Sequence, residues 1–339
     1  MSKLNCIVLA AGKGIRMKTN KPKVLSEVLF EPMLGWVLDS VCDCGIKDIC
    51  VVLGYKYNLV MDFLNKSGYN CEIAMQSRRC GTAHAIKCAS EFLKRNEDNY
   101  VLILNGDSPF IDRKTIMSSF DYHKKNKNVC TIITTELDNP EGYGRILRDD
   151  NENVCAIVEE REACKETKQI SEINSGAYWF NISELLKYLE LIKKSYSGEY
   201  YLTSIVKLFI DAGLKVGTYK VDAGIVLGAN TPEQLENLNN LAKINIISKL
   251  EEQGIHIPCK DNVTIGKNVE IGEGTMILQD VEISGKTKIG KNCVIGPNTI
   301  ISEGEIEDNA KVIFLDLNAN HNNDYSLINS NSNINQLNQ

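Results

Sequence analysis

Short apolar runs alternate with longer segments of helical spacing over the first two thirds of the chain. The runs have the length and composition of buried strands and lie at 5–11, 48–53, 100–104, 129–135 and 176–180. Between them, apolar residues recur at helical spacing in segments such as 82–95 and 184–194. This alternation predicts an α/β domain with a mostly parallel sheet.

A longer helix is predicted at 231–253, after the last strand-like segment. Thr231 can cap its first turn, Pro232 stands at the first helical position and Gly254 can end it. Leucine and isoleucine recur at helical spacing along the segment. We interpret this helix as an arm that connects the α/β domain to the rest of the chain.

From Val263 onward the pattern becomes a six-residue repeat. Isoleucine occupies the third position of seven successive hexads: Ile265, Ile271, Ile277, Ile283, Ile289, Ile295 and Ile301. This repeat predicts a left-handed parallel β-helix, in which six residues form one side of a triangular coil and the isoleucine points inward. Residues 263–316 would form about three coils. Glu307 falls where the next isoleucine belongs, and Ile313 is expected to restore the register.

These patterns predict four parts. Residues 1–230 form the α/β domain, 231–257 the helical arm, 258–316 the short β-helix and 317–339 an Asn-rich tail without stable structure.

Composition narrows the class of function. A net charge of -6 argues against a nucleic-acid binder held by bulk charge, so phosphate binding would need cations concentrated locally. The apolar run at 6–11 is too short for a signal sequence or a membrane span. The 12 cysteines are scattered without a CxxC pair, which gives a zinc site little support and favours reduced thiols in the cytoplasm.

A glycine-rich turn after the first predicted strand contains such a concentration of cations. The segment L-A-A-G-K-G-I-R-M at 9–17 is followed by P-K-V-L at 22–25, and five lysines or arginines lie between residues 13 and 23 without an acid. Glycines let backbone N–H groups approach an anion closely, so the turn suits a triphosphate. Neither the dinucleotide fingerprint nor the P-loop pattern is matched. A solvated basic turn is the alternative interpretation.

A candidate metal ligand follows the predicted strand at 100–104. Asp107 comes directly after this strand, and ligands bind at the carboxyl ends of strands in parallel α/β sheets. Its hard carboxylate oxygens suit Mg²⁺. A turn or helix-capping aspartate before Pro109 is the alternative.

Together the motifs resemble the bacterial bifunctional N-acetylglucosamine-1-phosphate uridyltransferase/glucosamine-1-phosphate acetyltransferase family over roughly residues 1–315. After the glycine-rich turn they are, in order, Gln76 with C-G-T-A-H-A (80–85), L-N-G-D-S-P (104–109), E-G-Y-G-R (141–145), I-V-E-E (157–160), E-I-N-S-G (172–176), G-E-Y-Y-L-T (198–203) and L-G-A-N (227–230). The resemblance implies a Rossmann-like nucleotidyltransferase domain with a mixed, mostly parallel sheet, followed by the β-helix. It also implies transfer of UMP from UTP to N-acetylglucosamine 1-phosphate.

The resemblance further implies residue roles. Arg16 would bind the β- and γ-phosphates, Lys23 would neutralise the α-phosphate and the sugar phosphate, and Asp107 with Asn230 would bind Mg²⁺. Substrate contacts are implied for Leu9, Ala10, Ala11, Gly12, Gln76, Gly81 and Thr82 on the nucleotide side and for Gly144, Glu159, Asn174 and Asn230 around the sugar phosphate and metal. The nucleophile is an ionised phosphate oxygen, so we expect neither a general base nor a covalent intermediate. His84 is interpreted as structural or peripheral.

Members of the resembling family have a longer β-helix, whose later coils carry the acetyl-coenzyme A site. With about three coils, the acetyltransferase activity is predicted to be missing, and the short β-helix is expected to form a homo-oligomer, with a trimer favoured. No nucleic-acid or membrane partner is expected. Arg79 and Cys80, close to Gln76, depart from the family pattern and leave the base choice open.

Three alternatives remain. The chain could use another sugar 1-phosphate or another base, or it could be a catalytically silent regulator that binds nucleotide sugars. Retention of the cations and of the proposed metal ligands argues against a silent regulator. A hexapeptide-repeat acyltransferase is the third alternative, and the absence of histidine within 263–316 argues against it.

Overall fold

The structure is a computed structural model that describes residues 3–314 and 316–317, and it divides into two compact units. Within the described residues, the first unit comprises 3–26 and 32–234, and the second comprises 27–31 together with the residues from 235 onward. The division therefore differs from the boundaries predicted at 230 and 257: it falls inside the predicted arm, and a short N-terminal segment groups with the second unit. The predicted tail lies outside the described residues, apart from residue 317.

The first unit contains a mixed sheet with helices packed against it. In chain order the strands of residues 3–234 are β1 (Leu4–Ala10), the short hairpin strands β2 (Glu27–Val28) and β3 (Glu31–Pro32), whose residues 27–31 group with the second unit, β4 (Asp48–Leu53), β5 (Glu72–Met75), β6 (Tyr100–Asn105), β7 (Cys130–Glu136), β8 (Gly144–Arg148), β9 (Val154–Val158), β10 (Glu172–Asn181) and β11 (Val216–Lys220). The helices are α1 (Met33–Asp43), α2 (Tyr57–Ser67), α3 (Thr82–Cys88), α4 (Ser90–Arg95), α5 (Arg113–Asn126), α6 (Ile182–Leu189), α7 (Ser204–Asp211) and α8 (Ala223–Val226).

Among the residues described in this unit, the sheet has nine strands. Seven lie in the order β11-β7-β10-β6-β1-β4-β5, while β8 pairs with β10 and β9 pairs with β8. Strand β10 runs antiparallel to β6, β7 and β8, and β9 runs antiparallel to β8, whereas the remaining pairs are parallel. The predicted fold class, a mixed and mostly parallel Rossmann-like sheet, is confirmed.

Side chains of the central strand β1 point alternately to the two faces of the sheet, and a hydrophobic core lies on each face. Ile7 packs in one core with residues of α3, α4, α6 and α7, and its neighbours Cys6 and Val8 pack in the other with residues of α1, α2 and α5. Successive strand residues point to opposite faces, so a strand that is buried on both faces is a continuous apolar run. The five predicted strands are all of this kind and are observed as β1, β4, β6, β7 and β10.

The sequence analysis missed the strands that lack such a run. The clearest example is β11, whose five residues are all half-buried or exposed. The predicted helical segment at 82–95 is in fact two helices, α3 and α4, because Ala89 leaves the helical conformation between them at φ -93° and ψ 16°.

The helix predicted at 231–253 is α9, Pro232–Glu252. Thr231 caps it, since its Oγ1 accepts a hydrogen bond of 3.2 Å from the backbone N–H of Gln234. Gly254 follows its end at φ +85°, where the backbone N–H of Ile255 bonds back to the carbonyl of Leu250. Within residues 3–314 and 316–317, no helix is both long and apolar enough to span a membrane.

The second unit contains the parallel β-helix. Its strands are β12 (Val263–Ile265), β13 (Glu270–Ile271), β14 (Met276–Ile277), β15 (Val281–Ile283), β16 (Thr287–Ile289), β17 (Val294–Ile295), β18 (Thr299–Ile301), β19 (Gly304–Ile306), β20 (Lys311–Val312) and β21 (Asp316–Leu317). They stack in three parallel sheets, β12-β15-β18-β21, β13-β16-β19 and β14-β17-β20, which makes three coils and the first strand of a fourth within the described residues. The predicted β-helix is thus confirmed.

The register predicted after Ile301 is wrong by one residue. Ile306, not residue 307, pairs with Ile289, and Val312, not Ile313, pairs with Ile295. The turn between β18 and β19 has two residues, 302–303, whereas the equivalent turn between β15 and β16 has three, 284–286. One residue fewer in this turn moves the following inward positions one place towards the N-terminus.

Candidate functional site

A cleft of about 520 Å³ opens in the first unit where β1, β5 and β6 end. The predicted site residues that line it are Leu9, Ala11, Gly12, Arg16, Lys23, Gln76, Gly81, Thr82, Asp107, Gly144, Glu159, Asn174 and Asn230. Ala10 is the exception, because it is 1% exposed and packs in the hydrophobic core. The cleft therefore lies where ligands bind in open α/β sheets, at the carboxyl ends of parallel strands.

The glycine-rich turn brings Lys23 and Arg16 to the cleft. Gly14 has φ +61°, and a Cβ atom built there would lie 2.6 Å from Cβ of Lys23, so a side chain at this position would displace the lysine. A short 3₁₀ turn, Ile15–Met17, then buries Met17 and leaves Arg16 exposed. The turn thus presents a guanidinium at the surface of the cleft and an ammonium deeper within it.

The Lys23 ammonium contacts both predicted metal ligands. Its Nζ forms an ion pair with Oδ2 of Asp107 and donates a hydrogen bond of 2.8 Å to Oδ1 of Asn230. Asn230 is fixed at the start of α9, where its backbone N–H donates to Oε1 of Gln234 at 2.8 Å. Two oxygen atoms from distant parts of the chain are therefore directed at one cationic centre.

This pair of oxygens fits a magnesium ion. Carboxylate and amide oxygens are hard ligands, and Mg²⁺ is usually held by few protein groups, taking its other ligands from water and substrate phosphate. The described residues contain no group of three or more His, Cys, Asp or Glu side chains that could hold a metal ion. A site with one carboxylate and one amide is consistent with a metal that is completed by substrate.

On the opposite side of the cleft, a hydrogen bond fixes the orientation of Gln76. Its Nε2 donates to the carbonyl oxygen of Gly81 at 2.9 Å and lies 3.1 Å from Nδ1 of His84. A carbonyl oxygen can only accept, so this contact assigns the amide nitrogen, and Oε1 remains to accept from a ligand. His84, interpreted from the sequence as structural or peripheral, contacts Gln76, which lines the cleft.

The loop containing Gly81 and Thr82 is held by the segment 200–202. The backbone N–H of Tyr200 donates to the carbonyl of Cys80 at 2.7 Å, and that of Leu202 donates to Oγ1 of Thr82 at 2.9 Å. Gly81 has φ +106°, and a Cβ atom there would lie 2.4 Å from the carbonyl oxygen of Tyr200. A glycine is thus required for this close approach of two backbones.

A third group of polar side chains faces Gly144. Oε1 of Glu159 accepts a hydrogen bond of 2.8 Å from Oγ1 of Thr203, and burial raises the pKa of the Glu159 carboxyl. Asn174 lies before an irregularity in β10 and donates through Nδ2 to the hydroxyl of Tyr178 at 2.6 Å. Burial raises the pKa of Tyr178 well above its usual value, so its hydroxyl stays protonated.

Comparison with known proteins shows which family the chain belongs to. Residues 5–223 match the family model described as nucleotidyl transferase. The chain belongs to the nucleotidyl transferase family. Residues 268–303 match a second model, described as bacterial transferase hexapeptide with six repeats, which agrees with the β-helix of the second unit.

Relatives of this nucleotidyl transferase carry the name Bifunctional protein GlmU. The Acetivibrio thermocellus protein is 40% identical over 279 residues, covering 82% of this chain and 60% of its own length. The Thermoanaerobacter pseudethanolicus protein is 39% identical, covering 93% and 68%, and the Clostridioides difficile protein is 39% identical, covering 90% and 66%. The resemblance inferred from the motifs is confirmed. The chain spans 60% to 68% of the length of these relatives.

A solved structure from Bacillus anthracis supports the fold. It was obtained in complex with a sucrose and is provisionally named a glucose-1-phosphate thymidylyltransferase. It aligns with a TM-score of 0.59 over 70% of this chain and 95% of that one, at 23% identity.

The sequence analysis of this nucleotidyl transferase overlooked several polar side chains of the cleft, among them Tyr143, Tyr178 and Thr203. Tyr143 lines the same cleft as Asp107 and Asn230, and burial, followed by the negative charge of Asp107, raises the pKa of its hydroxyl. Tyr143 and Thr203 both stand inside motifs quoted above, E-G-Y-G-R and G-E-Y-Y-L-T. Their place in these motifs is the available signal; the resemblance assigns a role to Gly144, beside Tyr143, and to no residue of the motif that contains Thr203.

Proposed function

We propose that this nucleotidyl transferase is a magnesium-dependent enzyme that forms UDP-N-acetylglucosamine and pyrophosphate from UTP and N-acetylglucosamine 1-phosphate. The observation that supports this most directly is the contact of Lys23 Nζ with both Asp107 and Asn230 in a cleft that also contains Arg16. A cation site of this kind can bring two polyanions together, which is the main requirement of the reaction.

The residues of the cleft fit the charges that develop. Arg16 offers a planar fork of donors for the β- and γ-phosphates, whereas Lys23 offers a compact ammonium that can follow the α-phosphate and the sugar phosphate. Asp107 and Asn230 would hold Mg²⁺, which when bound neutralises phosphate oxygens and stabilises the leaving pyrophosphate. The attacking phosphate oxygen is already ionised, so the cleft needs no general base.

The fixed orientation of Gln76 supports a uracil or thymine base. The donor contact with Gly81 leaves Oε1 as the acceptor of the amide. N3 of uracil carries a hydrogen and can donate to this oxygen, whereas N3 of cytosine is itself an acceptor and would face it unfavourably. With Oε1 of Gln76 fixed as an acceptor, the site therefore discriminates against cytosine, which lacks a hydrogen on N3.

The group around Gly144 supports a sugar ligand. Glu159 and Asn174 offer carboxylate and amide groups that can bond sugar hydroxyls or the acetamido group. The resemblance of the motifs to N-acetylglucosamine-1-phosphate uridyltransferases favours an amino sugar among the possible sugar 1-phosphates.

We also propose that the 339-residue chain does not acetylate glucosamine 1-phosphate. Between His256 and His321 the sequence contains no histidine that could deprotonate a sugar amine. Release of free thiol from acetyl-coenzyme A in the presence of glucosamine 1-phosphate is the test. A rate above the uncatalysed background would overturn this proposal.

Self-association as a trimer is a further part of the proposal. Met276 and Ile300 of the β-helix are 38% and 37% exposed, which leaves apolar surface on its outside. Light scattering coupled to size exclusion measures the mass directly, and a monomer at micromolar concentration would contradict the proposal.

The central experiment measures pyrophosphate release from pairs of substrates. UTP, dTTP, CTP, ATP and GTP are each combined with N-acetylglucosamine, glucosamine, N-acetylgalactosamine and glucose 1-phosphates, with and without Mg²⁺. We expect the highest kcat/KM with UTP and N-acetylglucosamine 1-phosphate, and none after chelation. A preference for another sugar would correct the substrate. No release from any pair would favour a silent nucleotide-sugar-binding protein instead.

A further inference from the structure

Arg145 is a buried cation beside the cleft whose role the reaction above leaves unassigned. It is 1% exposed, its Nη1 donates to the carbonyl of Tyr143, and its Nη2 lies 2.9 Å from Oε2 of Glu160. The other carboxylate oxygen of Glu160 lies 3.0 Å from Nζ of Lys168. We call Arg145, Glu160 and Lys168 the Arg145 network.

This network holds the two segments that form one wall of the cleft. Arg145 binds the turn at Tyr143, and Lys168 first, with the backbone of Gly142 also contributing, lowers the pKa of the Glu160 carboxyl. The two segments meet at the cleft, where a Cβ atom on Gly144 would lie 3.6 Å from Oε2 of Glu159.

The two adjacent glutamates therefore have different partners. Glu159 bonds to Thr203 and lines the cleft, whereas Glu160 pairs with Arg145 and Lys168. Both residues follow β9, which ends at Val158, and their separate partners mean that they do not form a paired acid and base. Movement of Glu160 would be transmitted to Glu159 through a single peptide unit.

Stability alone gives a poor account of the network. Buried ion pairs often contribute little net stability because desolvation offsets their attraction. Here the balance is less favourable still, since neither Nε of Arg145 nor Oε2 of Glu160 has a hydrogen-bond partner among the described residues, and the contact between the two side chains is an ion pair only. A planar guanidinium can, however, reach Tyr143, Lys168 and Glu160 at once, which an ammonium on a flexible chain cannot.

We propose that Arg145 and Glu160 are positioning residues for the sugar 1-phosphate, which hold Gly144 and Glu159 at the separation that the sugar requires. This inference rests on the proposed function, because it assigns the sugar to this wall. It predicts that disturbing the network weakens the use of the sugar 1-phosphate while leaving that of the nucleotide almost unchanged.

The same strand provides a matched control. Arg148 lies three residues beyond Arg145 in β8 and forms a two-point ion pair with Glu172, with Nε–Oε2 and Nη2–Oε1 distances of 2.7 Å each. Neither residue lines the cleft. A variant that loses this pair measures the structural effect of breaking an Arg–Glu contact in β8, while the cleft wall that contains Gly144 and Glu159 stays unchanged.

The test compares Arg145→Lys and Glu160→Gln with Arg148→Lys in the full chain. We expect the KM for sugar 1-phosphate to rise about 10-fold in the first two, the scale of one hydrogen bond to a charged group, with the KM for UTP changed less than about 2-fold. Arg148→Lys should leave both KM values unchanged even if its Tm falls. Equal changes in both KM values, or no change in either, would overturn the positioning role.

Direct binding separates this inference from the proposed function. Calorimetric titration of sugar 1-phosphates into the protein with a non-hydrolysable UTP analogue should show weaker sugar binding in Arg145→Lys and Glu160→Gln. If the wild type turns over but these variants bind the sugar normally, the positioning role is wrong and the function stands. A wild type that neither turns over nor binds any sugar 1-phosphate would overturn both. If Arg145→Lys does not fold, Glu160→Gln decides, because it keeps the shape of the side chain.

Discussion

The cleft of the α/β unit and the core of the β-helix use their side chains in opposite ways. In the β-helix one type of contact recurs, with Ile277 stacked on Ile295 and Ile283 on Ile301. In the cleft each polar contact occurs once and joins distant parts of the chain, as Lys23 joins Asp107 and Asn230. Repeated apolar contacts each add to stability, whereas single polar contacts determine what the cleft can bind.

The largest expected effect is on catalysis, from the loss of a single contact. Asp107→Ala should lower turnover roughly 100-fold or more, because it removes one of the two proposed metal ligands and the partner of Lys23. Its Tm should change little. Pyrophosphate release and thermal melting measure the two quantities.

Asp112→Ala is the matched control for this variant. Asp112 caps α5 by accepting a hydrogen bond of 2.7 Å from the backbone N–H of Thr115, so its loss should cost about 1 kcal/mol of stability and leave turnover intact. Full activity of Asp107→Ala would remove the metal mechanism.

The next effect concerns stability and should leave the cleft unaffected. Ile301 is 0% exposed, and Ile301→Ala should destabilise the β-helix by about 3 kcal/mol through lost burial and a residual cavity. Its neighbour Ile300 is 37% exposed, so Ile300→Ala should cost less than about 1 kcal/mol. Denaturant unfolding followed by circular dichroism compares them, and equal destabilisation would contradict the inward register.

A smaller effect on turnover is expected from Arg16, the exposed cation of the glycine-rich turn. Arg16→Ala should reduce turnover roughly 10-fold or more, since it removes hydrogen bonds to a charged ligand, while the fold is unchanged. Ile15→Ala is the control, because Ile15 is 76% exposed and adjacent. If Arg16→Ala loses stability but keeps its specific activity, Arg16 is structural.

The smallest effect is a pH dependence of stability in the α/β unit. His123 is 1% exposed, with Nδ1 2.9 Å from Oγ1 of Thr131 and Nε2 2.9 Å from Oδ1 of Asn181, and burial lowers its pKa. The unfolded chain therefore binds this proton at a higher pH than the folded chain. Stability should be full above about pH 6.5 and should fall as the pH drops below it, by up to about 1.4 kcal/mol per pH unit for one proton.

Denaturant unfolding at a series of pH values tests this expectation. His123→Gln should flatten the slope between pH 5 and 6.5, and His256→Gln, at an exposed position, should not. An unchanged slope in His123→Gln would assign the pH dependence to other groups.

The contrast between repeated local contacts in the β-helix and single long-range contacts in the cleft also explains which features the sequence could predict. The hexad repeat predicted the β-helix because each coil depends on a local pattern, and it failed at Ile306, where a shorter turn depends on packing between coils. The five continuous apolar runs predicted the central strands, but half-exposed strands such as β11 are formed by pairing with neighbours that no local pattern reveals.

For the cleft, ordered motifs located its residues but not their contacts. Nothing local indicates that Lys23 would reach Asn230, because 207 residues separate them. Likewise, the buried pair of Arg145 and Glu160 follows from the pairing of β8 with β9, which the sequence analysis did not identify.

The hairpin of β2 and β3 has a consequence for how the chain is synthesised. The backbone N–H of Leu29 donates to Oδ1 of Asn239 at 2.9 Å, and Nδ2 of Asn268 donates to Oε1 of Glu31 at 3.0 Å, across separations of 210 and 237 residues. During translation at roughly 5–20 residues per second, the hairpin leaves the ribosome well before its partners exist. Completion of the second unit must therefore wait for the C-terminal part of the chain and close a long loop, and we expect this to slow its folding.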